Sequence, residues 1–166
     1  MKFDNLLFVG FMGSGKSSVA RYVAKALKRQ FLDTDTMIES SEGRTIPEIF
    51  AQEGEPYFRA CEKEVATWLA HDVHNTIVST GGGFAIFQPI CECGTILYLE
   101  SSFEEIVARL NQNELSKRPL LQDMDQARAL FEKRQGIYES VAHYRIDGSG
   151  SVTQASQRVL AFLESL

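Results

Sequence analysis

The chain has 166 residues, a formal net charge of −5, 44% hydrophobic and 23% charged residues. That length supplies one core of ordinary size and is short for two domains. The composition is that of a soluble globular chain, with no basic run for nucleic acid, no apolar stretch of membrane-spanning length, and an N-terminus too polar and short for a secretory signal. Nucleic acid and membrane are therefore excluded as partners, and a cytoplasmic setting is expected.

The first apolar run, Leu6–Val9, reads as a strand buried on both faces. It leads into Gly10-Phe-Met-Gly13-Ser14-Gly15-Lys16-Ser17, which fits G-x-x-x-x-G-K-[ST] at every fixed position. Glycines let backbone N–H groups close on an anion, and the following helix presents its positive end to the same oxygens. Lys16 adds a full charge within reach of the β- and γ-phosphates, and the Ser17 hydroxyl can ligate Mg²⁺. After the motif Val19, Tyr22, Val23, Ala26 and Leu27 recur at helical spacing. Strand, glycine loop and helix agree, and they point to a nucleoside-triphosphate site.

The second strand, Phe31–Leu32, runs into Asp33-Thr34-Asp35. Read as extended chain, the two acids point the same way. One can hold water of a Mg²⁺ shell, and the other can orient or deprotonate an attacking hydroxyl. A lone Asp here would be read as an Asx turn capping the next helix. Thr45-Ile-Pro-Glu48 reads as a capping box, Gly54 closes that helix, and Pro56 sits near the start of the next. There Phe58, Cys61, Val65, Trp68 and Leu69 form one apolar stripe, read as core, with Trp68 expected to be buried. Arg59 flanks the stripe, and its spacing suits an ion pair with Glu55 or Glu62 as well as it suits a ligand contact. Cys91-Glu-Cys93, His71, His74 and His143 do not make the four ligands at motif spacing that structural zinc takes. Cys61, Cys91 and Cys93 are accordingly expected to be reduced thiols.

The third strand, Thr76–Ser79, is followed by Thr80-Gly81-Gly82-Gly83, a run without packing purpose that lets backbone N–H groups approach a ligand. A fourth strand, Thr95–Leu99, precedes a second capping box, Ser102-Phe-Glu-Glu105. The polar segment from Asn111 to Lys117, with Arg118-Pro-Leu-Leu121, is open to two readings: a lid carrying an arginine finger, or a solvated loop between helices. A helical stretch from near Asp125 to Tyr138 holds Lys133-Arg134, and a fifth strand, Tyr144–Ile146, precedes a last helix from Val152. Such alternation predicts an α/β fold, a three-layer α/β/α sandwich with a five-stranded parallel sheet and its ligands at the carboxyl ends of the strands.

Taken in order, these motifs resemble the shikimate kinase family, nearly end to end. The residues that carry the resemblance are 10–18, Phe-Leu-Asp-Thr-Asp at 31–35, Ile-Phe and Phe-Arg at 49–50 and 58–59, Ser-Thr-Gly-Gly-Gly at 79–83, Arg-Pro-Leu-Leu at 118–121, and Lys-Arg followed by Ile-Tyr at 133–138. The resemblance implies one domain over 1–166, of P-loop nucleoside-monophosphate-kinase type, with a lid near 111–121 and a substrate-binding helical segment near 34–62. It implies transfer of the ATP γ-phosphoryl group to the 3-hydroxyl of shikimate, with Mg²⁺ as cofactor and a monomeric enzyme. Shikimate would be bound by Asp35, Arg59, Gly81, Gly82, Gly83 and Arg134, with the two arginines clamping its carboxylate. Asp35 would be the general base, Lys16, Asp33 and Arg118 would act in catalysis, and Ser17 with Asp33 would belong to the Mg²⁺ environment. Gly13, Ser14, Gly15, Lys16, Ser17, Ser18, Arg109 and Arg118 would bind the nucleotide, Arg109 near adenine.

Two departures stand out. Gly136-Ile137-Tyr138 replaces a Pro-Leu-Tyr common in the family, and is expected to loosen a turn beside Arg134. Asp147-Gly-Ser-Gly-Ser151 lacks the basic residue sometimes found near adenine. A gluconate or nucleoside-monophosphate kinase on the same scaffold, and a nucleotide-binding regulator without turnover, are the competing readings. Intact Lys16, Ser17, Asp33, Asp35 and Arg118 weigh against the regulator.

Overall fold

The computed structural model describes residues 4–110 and 121–166. Strands β1 (Leu6–Val9), β2 (Gln30–Asp33), β3 (Thr76–Ser79), β4 (Thr95–Glu100) and β5 (Tyr144–Asp147) form one five-stranded sheet in the order β2-β3-β1-β4-β5. Every pairing is parallel, and the register sets Ser79 beside both Phe8 and Asp33. The chain runs from β1 out to β2 on one side, then crosses from β3 to β4 on the other. That reversal opens a crevice at the carboxyl ends of β1 and β3, where ligands of such sheets bind.

The helices are α1 (Lys16–Leu27), α2 (Thr34–Glu42), α3 (Ile46–Glu53), α4 (Glu55–His71), α5 (Phe84–Phe87), α6 (Phe103–Arg109), α7 (Met124–Val141) and α8 (Val152–Glu164). Side chains alternate across each strand, so the central strands feed two cores. Leu6 and Phe8 of β1, with Ile77 and Leu97, pack on Val19 and Val23 of α1 and on Val159 of α8. Leu7 and Val9, with Val78 and Tyr98, pack on Leu69 of α4, Ile106 of α6 and Phe131 of α7. The three-layer α/β/α arrangement expected from the sequence is the one observed. Burial on both faces explains the uninterrupted apolar run of β1, where each such side chain contributes about 1.5–3 kcal/mol. A third, small cluster of Ile38, Ile49 and Phe58 ties α2, α3 and α4 together apart from the sheet.

The expected caps are present. Thr45 and Glu48 close a capping box at α3, Ser102 and Glu105 close one at α6, and Gly54 stands between α3 and α4. Three expectations are corrected. Asp33-Thr34-Asp35 is not extended throughout: Asp33 ends β2 and caps α2, and Asp35 already lies in the first helical turn. Trp68 is 40% exposed, because it sits at the rim of the α4 stripe, beside Met37 and Ile38 of α2. Gly136 lies in no turn, since α7 runs through it without a break. Among the described residues no helix is long and apolar enough to cross a membrane.

Candidate active site

The glycine loop after β1 delivers Lys16 and Ser17 to the crevice. Gly15, at φ +87°, is the N-cap of α1, a backbone state that an L side chain resists, and it supplies no side chain to cap the first helical N–H groups. Ser17 and Ser18 are exposed at that end, whereas Ser14 is buried within the loop. Lys16 is itself buried, and its Nζ donates to Phe11 O at 2.8 Å and approaches Ser14 Oγ at 3.5 Å. Its ammonium group is thus held over the inner side of the loop.

β2 delivers the acids. Asp33 uses its two oxygens differently: Oδ1 accepts from Thr36 N at 3.1 Å, capping α2, while Oδ2 accepts from Ser17 Oγ at 2.7 Å. The helix-cap reading of Asp33 holds, and its second oxygen is turned to the serine of the phosphate loop. Ser79 Oγ lies 3.0 Å from Ser17 Oγ, brought there by the register of β2, β3 and β1. A hydroxyl and a carboxylate side by side are hard oxygen donors of the kind Mg²⁺ takes, together with phosphates and water. Among the described residues no group of three or more His, Cys, Asp or Glu side chains could hold a metal by itself. A metal here would thus depend on its nucleotide for further ligands.

The three glycines after β3 are where the parts converge. A Cβ on Gly81 would collide with the Asp35 carboxylate, one on Gly82 would sit 3.2 Å from Met12 N of the phosphate loop, and one on Gly83 would sit 2.6 Å from Arg59 Nη1. The run thus has a packing purpose that its sequence did not show: three functional groups press against one bare backbone. Thr34 Oγ1 accepts from Gly81 N at 3.0 Å, and Tyr138 Oη donates to Gly82 O at 2.5 Å, fixing the loop from both sides. Burial pushes the Asp35 carboxyl up to about 6, helped by the negative charges of Asp33 and Glu62.

Arg59 pairs with both neighbours that its spacing allowed. Nε and Nη2 donate to Glu55 Oε1 at 3.2 and 3.1 Å, and Nη1 donates to Glu62 Oε2 at 2.7 Å. These ion pairs do not displace it from the site, since the same guanidinium lies against Gly83. Glu62 is 1% exposed; burial pushes its carboxyl up, opposed by the hydrogen bond from Arg59 and by the charge of Arg134. Arg134 is itself buried on α7. Burial also drives the Tyr138 phenol upward, against the pull of Arg134.

Arg109 closes the other side. Its Nη1 donates to Ser14 O at 3.0 Å and Ser101 Oγ at 3.3 Å, and its Nη2 donates to Gly148 O at 2.6 Å and Gly150 O at 3.1 Å. It joins the phosphate loop to the loop after β5. That loop lacks a basic residue of its own, yet Arg158 of α8 also donates to it, at Asp147 O and Ser149 O. Arg118 and the segment expected to form a lid lie, through residue 120, outside the described residues. Ser79, Thr34 and Tyr138 escaped the sequence reading as site contacts, because each meets its partner only through strand register or packing between elements, whereas the spacing of Glu62 already marked it as a partner of Arg59.

Known proteins resemble this chain in sequence and in fold. The family model described as "Shikimate kinase" matches residues 12–164. A shikimate kinase of Helicobacter hepaticus is 37% identical over 161 residues, spanning 97% of this chain and 96% of that protein. The solved shikimate kinase of Acinetobacter baumannii, in complex with shikimate, superposes with a TM-score of 0.87 at 34% identity, covering 99% of this chain and 94% of its own. A gluconokinase of Sinorhizobium meliloti superposes at a TM-score of 0.55 with 16% identity, covering 97% of this chain and 91% of its own, a likeness of fold alone.

Proposed function

The chain belongs to the shikimate kinase family, and we propose that it transfers the γ-phosphoryl group of ATP to the 3-hydroxyl of shikimate through the residues gathered at the Gly81–Gly83 loop. The observation that carries this assignment of roles is the contact of those three glycines with Asp35, the phosphate loop and Arg59 in turn. Acid, phosphate cradle and carboxylate-binding arginine are thereby set within one residue's spacing of each other, as in-line transfer between two bound substrates requires.

ATP phosphates bind the N–H groups of residues 13–18 and the Lys16 ammonium, while Arg109 holds the nucleotide side of the loop in shape. Ser17 and Asp33 would hold Mg²⁺, whose charge would offset that of the β- and γ-phosphate oxygens. Arg59 and Arg134 receive the shikimate carboxylate, for which arginine's planar fork is suited. Glu62 holds Arg59 through its hydrogen bond from Nη1. Asp35, packed on Gly81, orients the 3-hydroxyl and accepts its proton. From the family pattern, Arg118 is assigned to a lid over ATP, with 34–62 as the substrate-binding segment. The enzyme is inferred to act as a cytoplasmic monomer.

Steady-state kinetics on single variants test these roles. Lys16→Ala and Asp35→Ala lose most of kcat, whereas Arg59→Ala and Arg134→Ala chiefly raise KM for shikimate. Turnover near the wild-type rate in Asp35→Ala would remove it as base.

A further inference from the structure

The helix that follows the triple-glycine loop ends in two residues which the roles above leave unused. Phe87 is 48% exposed, a large apolar ring outside the core. Its face carries the Arg59 guanidinium, with Cζ 4.0 Å from the ring centroid. Gln88, next in the chain, is 9% exposed, and its Nε2 donates to Arg59 O at 3.0 Å and approaches Glu62 Oε2 at 3.4 Å. That same Glu62 oxygen accepts from Arg59 Nη1 at 2.7 Å.

We propose that Phe87 and Gln88 are positioning residues for Arg59, and through it set the affinity for shikimate. The inference rests on the assignment of Arg59 to the substrate carboxylate. Without a support, a guanidinium on a long side chain keeps rotamer freedom that binding must remove. Here the ring, with the guanidinium carbon over its face, restrains the group by a cation–π attraction that uses no N–H donor. Gln88 adds a second restraint, by holding the Glu62 oxygen on which Nη1 rests and the main chain from which Arg59 springs. Both supports lie on the segment that begins at Gly83, whose missing Cβ gives Arg59 its place.

Kinetics and binding on Phe87→Leu, Phe87→Tyr, Gln88→Met and Arg59→Ala test this. Phe87→Leu should raise KM for shikimate about 3- to 5-fold, the size of a cation–π contact at a partly exposed site. Gln88→Met should raise it about 10-fold, the size of a hydrogen bond to a charged group. KM for ATP should move less than about twofold in both, and Phe87→Tyr, which keeps the ring face, should restore most of the affinity. In an Arg59→Ala background Phe87→Leu should add nothing further, the mark of action through Arg59. Phe87 is at the surface, so its series decides even if Gln88→Met folds poorly. An effect of Phe87→Leu that persists without Arg59, or KM values for both substrates rising together, would overturn the inference. So would an unmoved KM for shikimate in Phe87→Leu and Gln88→Met while Arg59→Ala raises it. An unmoved KM in Arg59→Ala itself would instead overturn the assignment of Arg59, and this inference with it.

Discussion

Arg59 Nη1 occupies the place that a side chain on Gly83 would need, only 2.6 Å from an ideal Cβ there. The neighbour is the far end of a flexible side chain, so Gly83→Ala should leave stability within about 1 kcal/mol of wild type while pushing the guanidinium aside. KM for shikimate should rise about 10-fold or more, since displacements near 1 Å are that costly in oriented sites. Gly81→Ala should act on the other partner, moving the Asp35 carboxylate and lowering kcat about 100-fold. Thermal melts alongside kinetics check both. A large loss of stability in either variant would show that these glycines serve the fold and not the site.

Asp35 costs the folded protein stability at neutral pH, because its carboxyl, at 3.8 in the reference state, is pushed up to about 6 by burial and by Asp33 and Glu62. The sign is opposite to that of a paired carboxylate: the penalty is present above pH 6 and fades as pH falls towards 4. Asp35→Asn should therefore be more stable than wild type by about 1–2 kcal/mol at pH 7.5, and nearly equal to it at pH 4.5. Urea unfolding in the presence of EDTA measures this on the metal-free protein. The same variant should have lost most of its turnover, so stability and activity should move in opposite directions.

Arg109→Lys should raise KM for ATP about 10-fold and affect KM for shikimate far less. Lysine keeps the charge but cannot span the carbonyls of Ser14, Gly148 and Gly150 as the guanidinium does. Equal effects on the two KM values would mean that Arg109 supports the whole crevice and not its nucleotide side.

How much of this was legible in the sequence depended on the range of the interaction. The phosphate loop, both capping boxes and the pairing of Arg59 with Glu55 and Glu62 are fixed by residues within a turn or two of each other, and local spacing exposed them. β1 was legible because two-sided burial leaves no polar position in Leu6–Val9. Helix α2 was not, since Thr34–Glu42 is polar except at Met37 and Ile38, and its start is set by the Asp33 cap and by packing of Ile38 on Ile49 and Phe58. Ser79 reaches Ser17 across 62 residues and Tyr138 reaches Gly82 across 56, distances that no local pattern encodes.

Gly136 offers a control free of the chemistry. It stands inside α7, and a Cβ there would meet nothing within 4 Å. Gly136→Ala should stabilise the protein by about 0.5–1 kcal/mol through helix propensity, with kcat and both KM values within about twofold of wild type. A marked change in KM for shikimate would show that α7 needs that glycine's freedom to place Arg134.

The most direct test is acceptor-dependent ADP release with Mg·ATP, comparing shikimate, gluconate and nucleoside monophosphates. The arrangement of Asp35, Arg59 and Arg134 predicts turnover with shikimate alone. Turnover with gluconate or a nucleotide but not with shikimate, or nucleotide binding without release of ADP for any acceptor, would contradict it.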